Sequence, residues 1–214
     1  GQSFGGLMAS GLLNVVGEHM NGLQMAGIAN ITASKLNGVQ IALCNYATQA
    51  RGLQIGLVNY YKEDMKGFQL GLVNANPDTR VQMMVYGGNA TPANIGVRFK
   101  NQLFYTILGI GSMYQGLNDK FSASASYRAG LSFTLYKGLS ISGDLGYQHI
   151  EAFDNKDEVI PKRLYALQAR ANLEYQFTRK FGIFATGGYG LTRFYNKSSN
   201  YDKGAIIEAG IVLF

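Results

Sequence analysis

Apolar and polar residues alternate with two different rhythms along this chain, and the rhythm changes near residue 80. Before it, short runs dominate. Gly52-Leu-Gln-Ile-Gly-Leu-Val-Asn59 puts Leu53, Ile55 and Leu57 on one face and Gln54, Gly56 and Val58 on the other. A period of two predicts a strand. The run recurs as Gly67-Phe-Gln-Leu-Gly-Leu-Val-Asn74 and Gly38-Val-Gln-Ile-Ala-Leu-Cys-Asn45, and one residue longer as Gly22 to Asn30. Looser copies span Gly6 to Asn14 and Val81 to Asn89, so the closing asparagines return about every 15 residues. Such a repeat predicts one structural unit used several times.

Between one Asn and the next Gly lie six or seven mostly polar residues, read as connections. An up-and-down meander would force identical units to meet opposite ends of a sheet. A solenoid-like stack relates each unit to the next by one step, so like residues meet like surroundings. The stack is therefore favoured over extra strands of the following sheet. It predicts a ladder of Gln24, Gln40, Gln54, Gln69 and Gln82, and another of Asn30, Asn45, Asn59, Asn74 and Asn89. Stacked amides of this kind are read as structural. Met20, Leu36, Ala50 and Met65 stand two residues before each Gly and give the return segment something to bury.

From residue 80 onward the strands lengthen. In 122–136, Ala123, Ala125, Tyr127, Ala129, Leu131, Phe133 and Leu135 oppose Ser122, Ser124, Ser126, Arg128, Ser132 and Thr134. Strands are predicted at 81–88, 94–99, 102–113, 122–136, 138–150, 163–177, 180–195 and 204–214. Their length suits a tilted strand crossing a bilayer, which needs about 9–11 residues. From residue 94 short turns (100–101, 137–138, 179–180) alternate with long polar loops (114–120, 151–163, 196–203). Aromatic residues gather at both strand ends. Outer-membrane barrels share these habits. The fold class expected is all-β: tandem repeats over 1–79, then an antiparallel up-and-down barrel of about eight strands over 80–214. Eight strands leave a lumen that side chains nearly fill. The polar parity supplies Arg98, Arg128 and Arg170 against Asp144, Glu174 and Glu208, which predicts a neutralised lumen network.

Composition agrees. Charged residues are 15% of the 214, with 28 Gly, 14 Tyr and 12 Phe. No run reaches the ~18 apolar residues of a membrane helix. The net charge of +6 comes entirely from residues 80–214, but scattered over strand ends and loops, so no nucleic acid is expected. The expected partner is the lipid of an outer membrane, with other envelope proteins as further candidates. Cys44 is the only cysteine and is read as a small buried hydrophobe. The start at Gly1-Gln-Ser looks like a processed or trimmed end, which is compatible with a removed export signal that the sequence itself does not show.

The tandem Gly-Leu-Gln-Ile-Gly-Leu-Val-Asn units resemble the surface-repeat proteins of Gram-negative bacteria and spirochaetes. Asn94-Ile-Gly-Val-Arg-Phe99, Phe104-Tyr-Thr-Ile-Leu-Gly109 and Gly143-Asp-Leu-Gly-Tyr-Gln-His149 resemble the barrel segment that often follows such repeats. The resemblance implies a cell-envelope location and no established activity. The terminal Phe214 is similar to the last aromatic of outer-membrane barrels. Its parity, however, includes Glu208, whereas Ala205, Ile207, Ala209, Ile211 and Leu213 form the cleaner apolar face. Either Phe214 curls at the end, or the apolar face points inward in a soluble barrel.

No phosphate loop, dinucleotide fingerprint or Cys/His metal spacing occurs, so no cofactor and no metal are expected. Gly187-Gly-Tyr-Gly190 is read as strand glycine leaving room for aromatics, and His19 as a solvated residue of a repeat connection. His149 with Glu151, near Ser122 or Ser124, could in principle form a hydrolase dyad; an interfacial histidine is favoured. The acidic segment 151–158 lacks calcium-ligand spacing and is read as solvated loop. The function expected is non-enzymatic, structural or adhesive. The alternatives are a soluble all-β binding module and a membrane lipid hydrolase using His149.

Overall fold

A computed structural model describes residues 2–112, 114, 121–153, 163–195 and 200–214. Most of the long loops expected at 114–120, 151–163 and 196–203 lie outside the described residues, as does most of the acidic segment 151–158. The described residues form fifteen strands and no helix. The chain divides into two compact units, Gly1–Thr79 and Arg80–Phe214.

The first unit is a stack of parallel strands: β1 (Phe4–Ser10), β2 (Leu13–Val16), β3 (His19–Ala26), β4 (Ala29–Ile41), β5 (Cys44–Ile55), β6 (Val58–Leu70) and β7 (Val73–Ala75). All pair in parallel, in the order β1-β3-β4-β5-β6-β7, with β2 on β4. The register superimposes like positions: Gly38 on Gly22 and Gly52, Gln40 on Gln24 and Gln54, Asn45 on Asn30 and Asn59. The coils thus stack, and they form a sheet separate from the barrel. One expectation is corrected. The polar segments read as connections are themselves strand, Tyr60 to Lys66 lying inside β6. Chain bends interrupt the ladder at register shifts such as that between Thr32 and Lys35, so a long strand serves two sides of one coil.

The repeat glycine is fixed by its backbone. Gly22, Gly38, Gly52 and Gly67 have φ of 131–148°, where L side chains are strained. A Cβ on Gly38 would also lie 2.0 Å from the carbonyl oxygen of Gly22. Inside the coils Val16, Met20, Leu36, Ala47 and Ala50 form an apolar core, with Met8 and Met65 packed on it. Leu53, Ile55 and Leu57 face outward while Gln54 is fully buried, so along this segment amides turn in and aliphatics out. Cys44 is exposed, not buried as its neighbours in the repeat suggested, because the bend at Ala42–Leu43 resets the alternation so that Asn45 faces in. Its register partners are Ala29 and Val58, and the inward Asn30, Asn45 and Asn59 each follow one residue later.

The second unit is a closed antiparallel barrel. Its strands are β8 (Arg80–Gly88), β9 (Ala93–Asn101), β10 (Phe104–Ser112), β11 (Ser122–Tyr136), β12 (Leu139–Ala152), β13 (Arg163–Gln176), β14 (Phe181–Phe194) and β15 (Asn200–Leu213). β15 pairs with β8 to close the wall. Alternation is inside-out relative to a water-soluble sandwich. Leu131, Phe133, Leu145, Leu167, Leu173, Ile183 and Ile207 are exposed on the outer face. Ser124, Arg128, Asp144, Gln148, Gln168, Arg170 and Glu208 are buried in the lumen. This resolves the parity question at the C-terminus. Ala205, Ile207, Ala209, Ile211 and Leu213 point out, Glu208 points in, and Phe214 turns inward onto Met84, Tyr86, Tyr105, Ile107, Phe184 and Val212. A second apolar cluster, Tyr114, Ile150, Ala152, Leu164 and Ala166, closes the lumen toward the long-loop ends. Gly188 of the glycine run makes room for the β13 strand, not for an aromatic: a Cβ there would lie 2.4 Å from Ala169 O and 3.0 Å from Arg170 Cγ.

Candidate functional site

The lumen holds the six charges that parity singled out, and it brings them together in pairs. Arg98 Nη1 and Nη2 donate to Glu174 Oε2 and Oε1 at 2.6 and 3.0 Å. Arg128 donates from Nε and Nη2 to Asp144 at 2.8 and 2.7 Å. Arg170 donates from Nε and Nη2 to Glu208, both at 3.1 Å. Each contact is a two-pronged guanidinium–carboxylate bridge, the geometry that gives most per charge. Arg128 Nη1 also lies 3.7 Å from Glu208, which links two of the pairs. Arg98 and Glu174 come from β9 and β13, four strands apart around an eight-strand wall, so this bridge crosses the lumen.

Neutral groups complete the network. Tyr105 OH and Asn172 Nδ2 donate to Asp144 Oδ2 at 2.7 and 2.9 Å. Asn172 Oδ1 accepts from Arg128 and Thr186. Gln82 Oε1 accepts from Arg98 Nε at 2.6 Å. Gln82 therefore belongs to the barrel and not to the glutamine ladder, which is a correction: its strand β8 pairs antiparallel with β9 and β15. Asn89 is corrected likewise. Its side chain donates to Ala205 O and accepts from Ile207 N. Both residues match the repeat by letter, but their strand runs into an antiparallel sheet. Tyr105, Asn172 and Thr186 were not foreseen as network members. Their inward parity beside Asp144 and Glu174 was the available signal. Space left among Met84, Arg98, Tyr105, Arg128 and Glu174 amounts to a cavity of about 10 Å³, room for one water at most.

In the first unit the remaining amides are joined in series. Gln40 donates to Gln24, Gln54 to Gln40 and Gln69 to Gln54 at 2.8–2.9 Å. Asn14, Asn30, Asn45, Asn59 and Asn74 form the second ladder at 2.9–3.1 Å, starting one coil earlier than expected. Asn30 Nδ2 also donates to Ile41 O, so each side chain staples the bend of the next coil. Gln40 gives and receives within a fully buried column. Gln40→Ala takes one of two partners from each neighbour, leaving Gln54 with Tyr60 O at 3.4 Å and Gln24 Oε1 with Thr32 at 3.1 Å, and removes two buried hydrogen bonds worth about 0.5–1.5 kcal/mol each. The expected result is a lowered denaturation midpoint for this unit, read by hydrogen exchange of its amides. A change of under ~0.5 kcal/mol would show that the ladder only fills space.

Outside the barrel, at the long-loop end, aromatic rings gather. Tyr147 and Tyr165 stack at 6.1 Å, and Tyr165 and Tyr195 meet at 5.1 Å. Tyr195 OH contacts Tyr147 OH and, at 2.7 Å, His149 Nδ1. His149 Nε2 faces Glu151 at 3.4 Å, and Glu151 accepts from Arg163. Desolvation and then the Tyr147 hydrogen bond push the Tyr195 phenol up to about 12. The dyad alternative fails on geometry. Ala125 pairs with His149 across β11 and β12, so Ser122 and Ser124 take the opposite parity and are buried in the lumen, while His149 faces out. His19 is exposed, and no metal-holding group of His, Cys, Asp and Glu occurs among the described residues.

No known family and no curated protein matches the chain. Among solved structures, the chain is similar to the N-terminal β-barrel domain of Pseudomonas aeruginosa OprF, at 16% identity and a TM-score of 0.43, over 62% of this chain and 93% of that one. It is similar to the Yersinia pestis outer membrane protein Ail, at 15% identity and a TM-score of 0.39, over 64% and 99%. It is also similar to Neisserial surface protein A, at 8% identity and a TM-score of 0.37, over 62% and 92%.

Proposed function

We propose that this chain works in an outer membrane as an occluded eight-stranded barrel that carries a stack of surface repeats, and that its role is structural or adhesive rather than enzymatic. The observation that carries this reading is the inversion of the barrel wall: large apolar side chains exposed outside, charged ones buried inside. In water that arrangement would leave an apolar belt on every side, far larger than the patches soluble monomers expose. In a bilayer it is the low-energy one. The Arg98–Glu174 bridge and the two apolar clusters leave the lumen without a channel, which favours an anchoring role over transport. The repeat sequence supports a place among the surface-repeat proteins of the bacterial envelope.

Nitroxide labels on the outward Ala169 and Leu145 test the reading in reconstituted protein. Both are expected to be quenched by lipid-soluble oxygen far more than by a water-soluble nickel chelate. The reverse preference, or a monodisperse protein without detergent, would sink the membrane reading. Steady conductance steps in a planar bilayer would sink the occluded lumen.

A further inference from the structure

The barrel wall is uneven. β8, β9 and β10 have 9 residues each, whereas β11 to β15 have 14 or 15. Nine residues suffice to cross a bilayer, so the tall strands continue about five residues beyond it. The step between them lies over the β8–β9 hairpin, at headgroup depth. β15 pairs with β8 only from Glu208 to Leu213. Above that pairing, Asn89 pins the hairpin to β15: its N–H donates to Ile207 O at 3.1 Å, its Oδ1 accepts from Ile207 N at 2.9 Å and its Nδ2 donates to Ala205 O at 2.7 Å. One side chain thus ends the seam, and the β15 edge at Asp202–Gly204 has no strand partner on this side among the described residues.

A cavity of about 430 Å³ sits at this edge. It is lined by lumen-facing Gln168, Thr192 and Asp202 and by Lys203 and Ala205, which have outward parity on β15. Residues of both faces line one space, so the cavity passes around the strand edge and opens sideways. On the lipid side of the same hairpin lies a groove of about 850 Å³. Its floor is small (Ala93, Ala123, Ala209) and its flanks are Ile95 and Ile110.

We propose that this low side of the wall is a lateral binding site for a single-chain amphiphile, its alkyl chain in the outer groove and an uncharged hydrogen-bonding head in the cavity. The groove lies in the wall that the membrane reading puts against lipid, and the inference rests on that reading. The head class follows from the lining. Gln168 and Thr192 offer neutral polar atoms, while the charges of Asp202 and Lys203 cancel and leave no net charge to select an anionic or a cationic head.

The test uses the full chain in phosphatidylcholine nanodiscs, titrated with dodecyl maltoside at sub-solubilising concentration and followed by amide NMR. Saturable one-site shifts are expected at Asn89, Ala93, Ala205 and Ala209. Ala93→Phe and Ala209→Phe, both at exposed outward positions, fill the groove and are expected to weaken binding at least about tenfold. Ala169→Phe, outward on β13 across the barrel, is expected to leave it unchanged. Shifts that never saturate, or that persist in both groove-filling variants, would mean simple partition into the bilayer and overturn the site. Dodecyl phosphate or dodecyltrimethylammonium binding tenfold tighter than the maltoside would overturn the head class. Failure of the membrane reading would show separately, as nitroxides on Ala169 and Leu145 exposed to water.

Discussion

Arg128→Ala is expected to destabilise the barrel by about 3–5 kcal/mol, the usual cost of stripping one partner from a buried ion pair. Arg128 and Asp144 are among the most enclosed charges of the lumen, with side chains 2% and 0% exposed. Removing the guanidinium leaves Asp144 with donors from Tyr105 and Asn172 but without its cation. It also takes the nearest second cation from Glu208. Arg128→Lys is not expected to rescue, because one ammonium cannot reproduce the Nε and Nη2 prongs on both carboxylate oxygens. Arg128→Met combined with Asp144→Leu should recover most of the loss, since apolar replacement of a whole buried pair is often neutral. The measurement is urea unfolding in lipid vesicles. A loss below ~1 kcal/mol in the single variant would show that water already reaches Asp144 and that the lumen is not closed there.

The pairing was half legible in the sequence. Strict alternation in the long strands fixes which residues share a face, so Arg98, Arg128, Asp144, Arg170, Glu174 and Glu208 could be assigned to one polar interior from parity alone. Which carboxylate meets which arginine could not. Asp144 is directly in register with Arg170 yet bonds Arg128, because Gly146 beside it leaves room: a Cβ there would lie 3.1 Å from both Arg128 Cγ and Arg170 Nη1. Partner choice thus depends on where glycine leaves space, across strands far apart in sequence.

The repeats show the opposite case. Their regularity gave the stack and its ladders, since identical letters in parallel register must meet. It also misled at the boundary, where Gln82 within β8 and Asn89 just after it carry the repeat letters at a strand that pairs antiparallel. Nothing local distinguishes those copies. The missing signal is the glycine: Arg80 stands two residues before Gln82, where the other units have Gly at positive φ. Cys44 shows how a bend hides parity: the alternation restarts after Ala42–Leu43, the inward place goes to Asn45, and Cys44 is left outside.

That glycine column is where the second large effect is expected. Gly38→Ala should unfold the Gly1–Thr79 unit while the barrel stays folded. Two costs add at this position. At φ +140° an L side chain pays conformational strain of about 1–3 kcal/mol. The new methyl would also sit 2.0 Å from Gly22 O and 2.8 Å from Gly22 C, and backbone cannot swing aside as a side chain can. Relief requires the coils to part, which breaks the Gln24–Gln40 rung and the strand hydrogen bonds around it. Gly6→Ala separates the two terms. Its φ is +113°, but nothing lies within 4 Å of the added Cβ, because Gly6 begins the column. It should therefore show the strain alone, with the stack intact. Limited proteolysis reads the outcome: rapid cleavage within 1–79 for Gly38→Ala, slow cleavage for Gly6→Ala, and a protected barrel in both. Equal protection of the two variants would mean that the coils can spread cheaply, and the close stacking of glycine on glycine would then not be what holds the repeat in register.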